Sequence, residues 1–173
     1  MRKFKDELFP LKEIKKYRRC SRGFVFDGDR IALLHIKGED EFGVRDHYET
    51  PGGGLEGKET YVSCFKREIG EELGIIIDEP IYLETVGYEY NLIGYKCKAK
   101  VFYAHKIGTT SKEWTKKEQS LFKDIEWKTI DEWISLLENN LGEGVNYLVQ
   151  ERDLYLLHRL NNALLSKEKK LKY

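Results

Sequence analysis

Apolar and polar positions change their period several times along this chain, and each change marks an element. The run GFVFDGDRIALLHIK, from Gly23, sets two β-rich stretches around Asp27-Gly28-Asp29 and predicts a hairpin. GEDEFGVRD reads as a polar loop, and HYET as a short strand running into Pro51. From about Glu59 to Leu73 the apolar spacing becomes helical, and Gly74 ends it. IIIDEPIYLETVGYEY and YKCKAKVFYAHKI read as strands, the second with clean alternation. GTTSKEWTKKEQSLFKD is a polar loop and IEWKTI a last strand, after which Asp131 is expected to cap a short helix, EWISLLENN. GEG breaks that helix. Residues 145–165 are the longest helical candidate, with the stripe Leu154, Leu157, Leu160 and Leu164, and SKEKKLKY is expected to be a frayed basic tail. The charged, mixed residues 1–20 suit a lead-in strand, a short helix or a dimer arm.

The expected organisation is one domain over 1–173: an N-terminal extension (1–20), a core (20–140), and a C-terminal helix with its tail (141–173). At 173 residues, 40% hydrophobic and 35% charged, the chain is globular and long enough for one real core. Lys and Arg together number 30, as do Asp and Glu, so there is no basic excess to hold a nucleic acid or a membrane surface, and no stable nucleic-acid partner is expected. Three widely spaced cysteines, Cys20, Cys64 and Cys97, without a CxxC, argue against a disulfide framework and a Cys-type zinc site. No apolar stretch approaches bilayer length, and no apolar signal region opens the chain. The expectation is a soluble, cytoplasmic protein with reduced thiols.

Within residues 59–73, a helix at about 100° per residue places Phe65, Ile69, Val62 and Leu73 on one compact stripe. Glu68, Glu71 and Glu72 fall together beside that stripe. Three like charges so placed cost roughly a few tenths of a kcal/mol per pair. A solvated acidic face is the ordinary outcome for a glutamate-rich helix. Here the glutamates abut the buried stripe and follow PGGGLEG, a turn where backbone can approach a ligand. Mg²⁺ favours oxygen ligands, one or two of them carboxylates, together with substrate phosphates. The arrangement therefore suggests a metal–diphosphate site.

Gly53, Glu59, Arg67-Glu68-Ile69, Glu71-Glu72 and Gly74-Ile75 stand at the spacings of the 23-residue Nudix box, and every fixed position is filled. The chain resembles the Nudix hydrolases over about residues 20–140. The resemblance implies an α/β (α+β) fold, an α/β/α sandwich around a mixed sheet, here with an added C-terminal helix. It implies Mg²⁺ or Mn²⁺ held by Glu68 and Glu72, with Glu71 as a third ligand or as the group that orients or deprotonates water, and with the Gly53 carbonyl in the metal shell. Glu59 and Arg67 would brace the loop against the helix, and Gly74 would turn the chain left-handed. The implied reaction is attack of water on phosphorus in a nucleoside diphosphate linked to some group X, or in a (deoxy)nucleoside triphosphate.

The box does not select X. Marks of the ADP-ribose, NADH and coenzyme A members are absent, and Tyr88, Tyr90 and Tyr95 only approach the tyrosine position of the dinucleoside polyphosphate members. Tyr48, Tyr90, Phe42 and Tyr88 suit base stacking, although tyrosines in strands more often pack cross-strand. Arg45 is a candidate phosphate contact. In the loop 108–124 Glu118, then Glu113, is a candidate further acid. His35, His47, His105 and His158 show no ligand spacing, and Cys64 reads as packing. A nucleotide-sensing module without catalysis and an isoprenoid diphosphate isomerase are the alternatives; the latter would want a catalytic cysteine and histidine ligands, for which Cys20 and His35 are the available residues. Relatives by resemblance often dimerise, so a homodimer is a partner expectation.

Overall fold

The computed structural model describes residues 1–11 and 13–170. Its strands are β1 (Arg2–Phe4), β2 (Lys16–Asp27), β3 (Arg30–Asp40), β4 (Gly43–Glu49), β5 (Gly52–Gly54), β6 (Ile75–Ile77), β7 (Ile81–Tyr90), β8 (Tyr95–Thr109) and β9 (Phe122–Lys128). Its α-helices are α1 (Tyr61–Leu73), α2 (Lys116–Leu121), α3 (Ile130–Asn139) and α4 (Val145–Lys170).

The sheet runs β1-β7-β8-β2-β3-β4, with β5 beside β2, β6 beside β8 and β9 beside β3. β1 pairs with β7 and β2 with β8 in parallel; the other pairings are antiparallel, so the sheet is mixed. Alternation along the strands sorts two cores. Phe24, Phe26, Ile31, Leu33, Val101 and Tyr103 face Trp133 and Leu137 of α3 and Leu156, Leu157 and Leu160 of α4. Val25, Ala32, Leu34, Phe102 and Ala104 face Phe65, Ile69 and Leu73 of α1. Helices therefore cover both faces of the sheet, the α/β/α sandwich that the box implied.

The hairpin at Asp27-Gly28-Asp29 forms as the alternation predicts: Asp27 pairs with Arg30, and Gly28 takes φ 65° at the first turn position. β2 and β3 share only the two rungs next to this turn. Beyond it β2 pairs with the glycines of β5, while β3 pairs with β9 and β4. The gap between the diverging strands becomes the mouth of a cleft.

Several expected boundaries shift. GEDEFGVRD is no loop but the tip of a second hairpin, with Asp40 opposite Gly43, because β3 and β4 keep pairing through their polar ends. Residues 116–121 of the expected polar loop form α2, nucleated by a capping box between Thr115 and Glu118. The cap of α3 is Thr129, not Asp131; the Thr129 side chain accepts from the Glu132 N–H and Glu132 answers in kind, which leaves Asp131 in the first turn. α1 begins at Tyr61 behind Thr60 and ends on Gly74 at φ 68°. The expected frayed tail is helical through Lys170, and its last residues, 171–173, lie outside the described residues. The leucine stripe of α4 packs onto the sheet, with Leu157 and Leu160 buried and Leu154 and Leu164 against them. The opening residues join the sheet through β1, and Asp6 ties them down by accepting the Asn91 N–H at 2.7 Å.

Candidate active site

α1 and β5 bring the box together. Arg67 reaches back to Glu59 with Nε–Oε1 at 2.8 Å and Nη2–Oε2 at 3.1 Å, and Nη2 also donates to the Gly54 carbonyl at 3.1 Å. This fastens the glycine loop to the helix. The Arg67 guanidinium beside it holds the Glu59 carboxyl down at about 2, against a small opposing effect of burial. Arg67 Nη1 also pairs with Glu68 and with Glu71, each at 2.9 Å.

Glu68 and Glu72 are buried, 8% and 6% exposed. Burial pushes Glu68 up to about 7 despite Arg67, and pushes Glu72 well above the usual carboxylate range, with Glu68 adding to the effect. Glu72 has no cation partner among the described residues; its Oε2 accepts the Gly52 N–H at 2.7 Å. A Cβ placed on Gly53 would lie 2.4 Å from Glu68 Oε1, so only glycine leaves this carboxylate its room. Two desolvated carboxylates against a glycine backbone are an oxygen donor set that suits a divalent cation. Among the described residues no three acidic, His or Cys groups converge as a finished metal cluster. Arg67 engages Glu68 and Glu71, while Glu72 is turned to Gly52.

The cleft beside this face measures about 380 Å³ and is lined by residues of β2, β3, β4, β5, β7 and β8, by Glu72 of α1 and by α2. Arg45, Phe42, Tyr88, Tyr90, Tyr95 and Glu118, all singled out in the sequence, reach it. Its aromatic wall is a ladder: Arg45 lies over Phe42 at 5.1 Å, Phe42 meets Tyr90 edge-on at 5.7 Å, and Tyr90 meets Tyr88 at 5.6 Å. Glu118 spends Oε2 on the Thr115 N–H, at 2.7 Å.

Tyr48 does not reach the cleft. Strand alternation turns Arg45, His47 and Glu49 one way and Tyr48 the other, where it stacks on His35 at 4.7 Å and donates to Glu126 at 2.6 Å. His35 pairs with Asp46 there, so it is not brought to Cys20, which lines the cleft. Glu113 is exposed, and His105 and His158 pair with Asp78 and Glu138 at the surface. His47 is buried against Asn146 and Glu49. Cys64 packs under the loop, its Sγ 3.7 Å from the Gly53 carbonyl.

Sequence reasoning missed the charged floor behind the glycines. Arg22 donates to Glu49 and to Thr50, and Arg152 of α4 reaches Glu49, Asp153 and the Tyr90 hydroxyl. Asp153 accepts the Thr50 N–H at 2.8 Å. The two guanidinium groups flank the Tyr88 ring at 5.4 and 4.8 Å. The Nε atoms of Arg22 and Arg45 are buried without a partner among the described residues, although both residues line the cleft. Position just before PGGG was the available signal for Glu49; a partner on a helix about 100 residues later carried none.

The family model of the NUDIX domain matches residues 16–148. The chain belongs to the Nudix family. Solved structures agree at the level of fold. A MutT NUDIX hydrolase from Burkholderia pseudomallei is similar with TM-score 0.55 and 24% identity, covering 68% of this chain and 86% of that one. A structure described as an ADP compounds hydrolase is similar with TM-score 0.65 and 14% identity, over 87% and 74%. A MutT protein from Bacillus halodurans reaches TM-score 0.51 and 26% identity, over 69% and 72%. No curated protein matches the chain. As a Nudix hydrolase by family, it carries Glu68, Glu71 and Glu72 of its box on α1 and Gly53 on β5.

Proposed function

We propose that this Nudix chain is a divalent-cation-dependent hydrolase that cleaves a diphosphate anhydride in a nucleotide: a nucleoside diphosphate linked to a group X, or a (deoxy)nucleoside triphosphate. The observation that carries this reading is the placement of Glu68 and Glu72, buried carboxylates against a glycine strand at the edge of a cationic, aromatic cleft. Glu68, Glu72 and the Gly53 carbonyl would hold Mg²⁺ or Mn²⁺, with Glu71 as the further carboxylate. When bound, the cation neutralises charge on the diphosphate and lowers the pKa of water.

The chain's own residues supply the rest. Arg22 and Arg45, both in the lining of the cleft, offer their positive charge to acceptor oxygens of the substrate. Tyr90 and Phe42 give a base or other flat group a face to stack on. Glu118, with Oε2 held by Thr115, keeps Oε1 for the proton of the attacking water.

The test is turnover by the purified protein and by Glu72→Gln with Mg²⁺ or Mn²⁺. The panel holds canonical and oxidised nucleoside triphosphates, ADP-ribose, nucleotide sugars, dinucleoside polyphosphates and 5′-triphosphorylated RNA. Products are identified by mass in water enriched in heavy oxygen, so the label marks the phosphorus attacked. Cleavage lost in Glu72→Gln supports the reading. Tight nucleotide binding without turnover by the unaltered protein overturns it in favour of a sensing module.

A further inference from the structure

Cys20 and Cys97 sit on neighbouring parallel strands, β2 and β8, and their sulfur atoms are 2.7 Å apart. Cys20 stands opposite Ala99, two residues from Cys97, so both side chains leave the same face of the sheet. Both are free thiols and both line the cleft. Cys20 is only 3% exposed and Cys97 half-buried, so the cleft is their route to solvent. Buried structural thiols in apolar surroundings are inert. These two share their stretch of wall with Arg18 and Arg22, whose charges favour a thiolate. The contact with Cys97 lowers Cys20 to about 6 against the effect of burial, with Arg22 and Arg18 assisting, and the same contact raises Cys97. One sulfur is set to carry negative charge while its neighbour keeps a proton.

We propose that Cys20 and Cys97 form a dithiol oxidation site in the wall of the cleft, closed to a reversible disulfide by a hydroperoxide. The Cys20 sulfur attacks the terminal peroxide oxygen; the O–O bond breaks, and the alkoxide, or hydroxide from hydrogen peroxide, leaves with the thiol proton. Cys20 is then a sulfenic acid. The Cys97 sulfur attacks the Cys20 sulfur, the S–O bond breaks, and hydroxide leaves as water with the Cys97 proton. Two thiols lose two electrons and two protons, and the peroxide is reduced to an alcohol and water. The sulfurs need approach by only about 0.7 Å to reach disulfide length. Cys64 stands apart under the glycine loop and is pushed up to about 12, first by burial, so it serves as an internal control.

The experiment treats the reduced, unaltered protein with hydrogen peroxide, then alkylates it under denaturing conditions and maps the peptides by mass. The expected result is a fall from three alkylatable thiols to one, at Cys64. A Cys20–Cys97 cross-linked peptide appears within one chain, and dithiothreitol removes it. In Cys97→Ser the cross-link is lost and a sulfenic acid is trapped on Cys20 by a carbon nucleophile. Retention of three alkylatable thiols, a cross-link through Cys64, a cross-link between chains, or direct overoxidation of Cys20 would overturn the proposal. The main readout uses the native sequence, so it does not depend on a variant folding. It is also independent of nucleotide turnover.

Discussion

Arg67 grips both carboxylate oxygens of Glu59 while its remaining nitrogen, Nη1, faces Glu68 and Glu71. The carboxyl of Glu59 is thereby held at about 2, below its ordinary 4.5. A depressed carboxyl adds stability above its unfolded pKa and loses it as pH falls through the folded value. Glu59→Gln is therefore expected to cost about 1 kcal/mol or less near pH 7, because the pair is partly exposed. Its stability should also fall less steeply than that of the unaltered protein between pH about 4.5 and about 2. Urea unfolding across that range checks both points; parallel curves would show that the pair contributes nothing.

The adjacent glycines separate structure from chemistry. A methyl on Gly53 meets only the side-chain end of Glu68, which can shift where backbone cannot, so Gly53→Ala should leave the melting temperature nearly unchanged and weaken the proposed metal-dependent activity by about 10–100-fold. A methyl on Gly52, at φ 137°, meets the Ser21 carbonyl at 2.2 Å, and that backbone has no room to give. Gly52→Ala should lower the melting temperature itself. Thermal scans beside initial rates distinguish the two.

Under the proposed function Mg²⁺ should stabilise the folded chain, because the carboxylates proposed to hold it are gathered only there. At about 100 times its dissociation constant the gain is about 2.7 kcal/mol. A melting series against Mg²⁺ measures it, and Glu72→Gln should flatten the series.

One substitution divides the cap that Glu118 makes from the catalytic role proposed for it. Gln at this position still completes the capping box with Thr115 but cannot accept the proton of water. Glu118→Gln should therefore keep the melting temperature and lower kcat by about 100-fold. An unchanged kcat would leave Glu118 with the cap alone.

Arg152 is the cation between Asp153 and Glu49; Arg152 and Asp153 are withdrawn from solvent, while Glu49 reaches the cleft and is also held by Arg22. Arg152→Met strands the Asp153 carboxylate, the one that has no other cation partner among the described residues, and should cost about 3–5 kcal/mol, read from the urea midpoint.

The box, its helix and the 27–29 hairpin were legible because each is written in contiguous residues: glycines, a helical stripe, a turn dipeptide between alternating runs. Tyr48 was misplaced because which face a strand residue takes depends on register, and register was invisible while GEDEFGVRD read as a loop. Asp131 competed with Thr129 for a cap that the Glu132 side chain decides. Arg22, Glu49, Arg152 and Asp153 went unread as a group, since a buried charge network is defined by partners distant in sequence. The two cysteines likewise looked unrelated until the pairing of β2 with β8 set them together.

Thr50, Glu49 and His47 are held by Asp153, Arg152 and Asn146, each about 100 residues further along the chain. Two of these three holders lie past residue 148, where the match to the family ends. A ribosome makes the box long before it makes the helix that braces it. The glycine loop thus stays without its backing until about 100 further residues have been made.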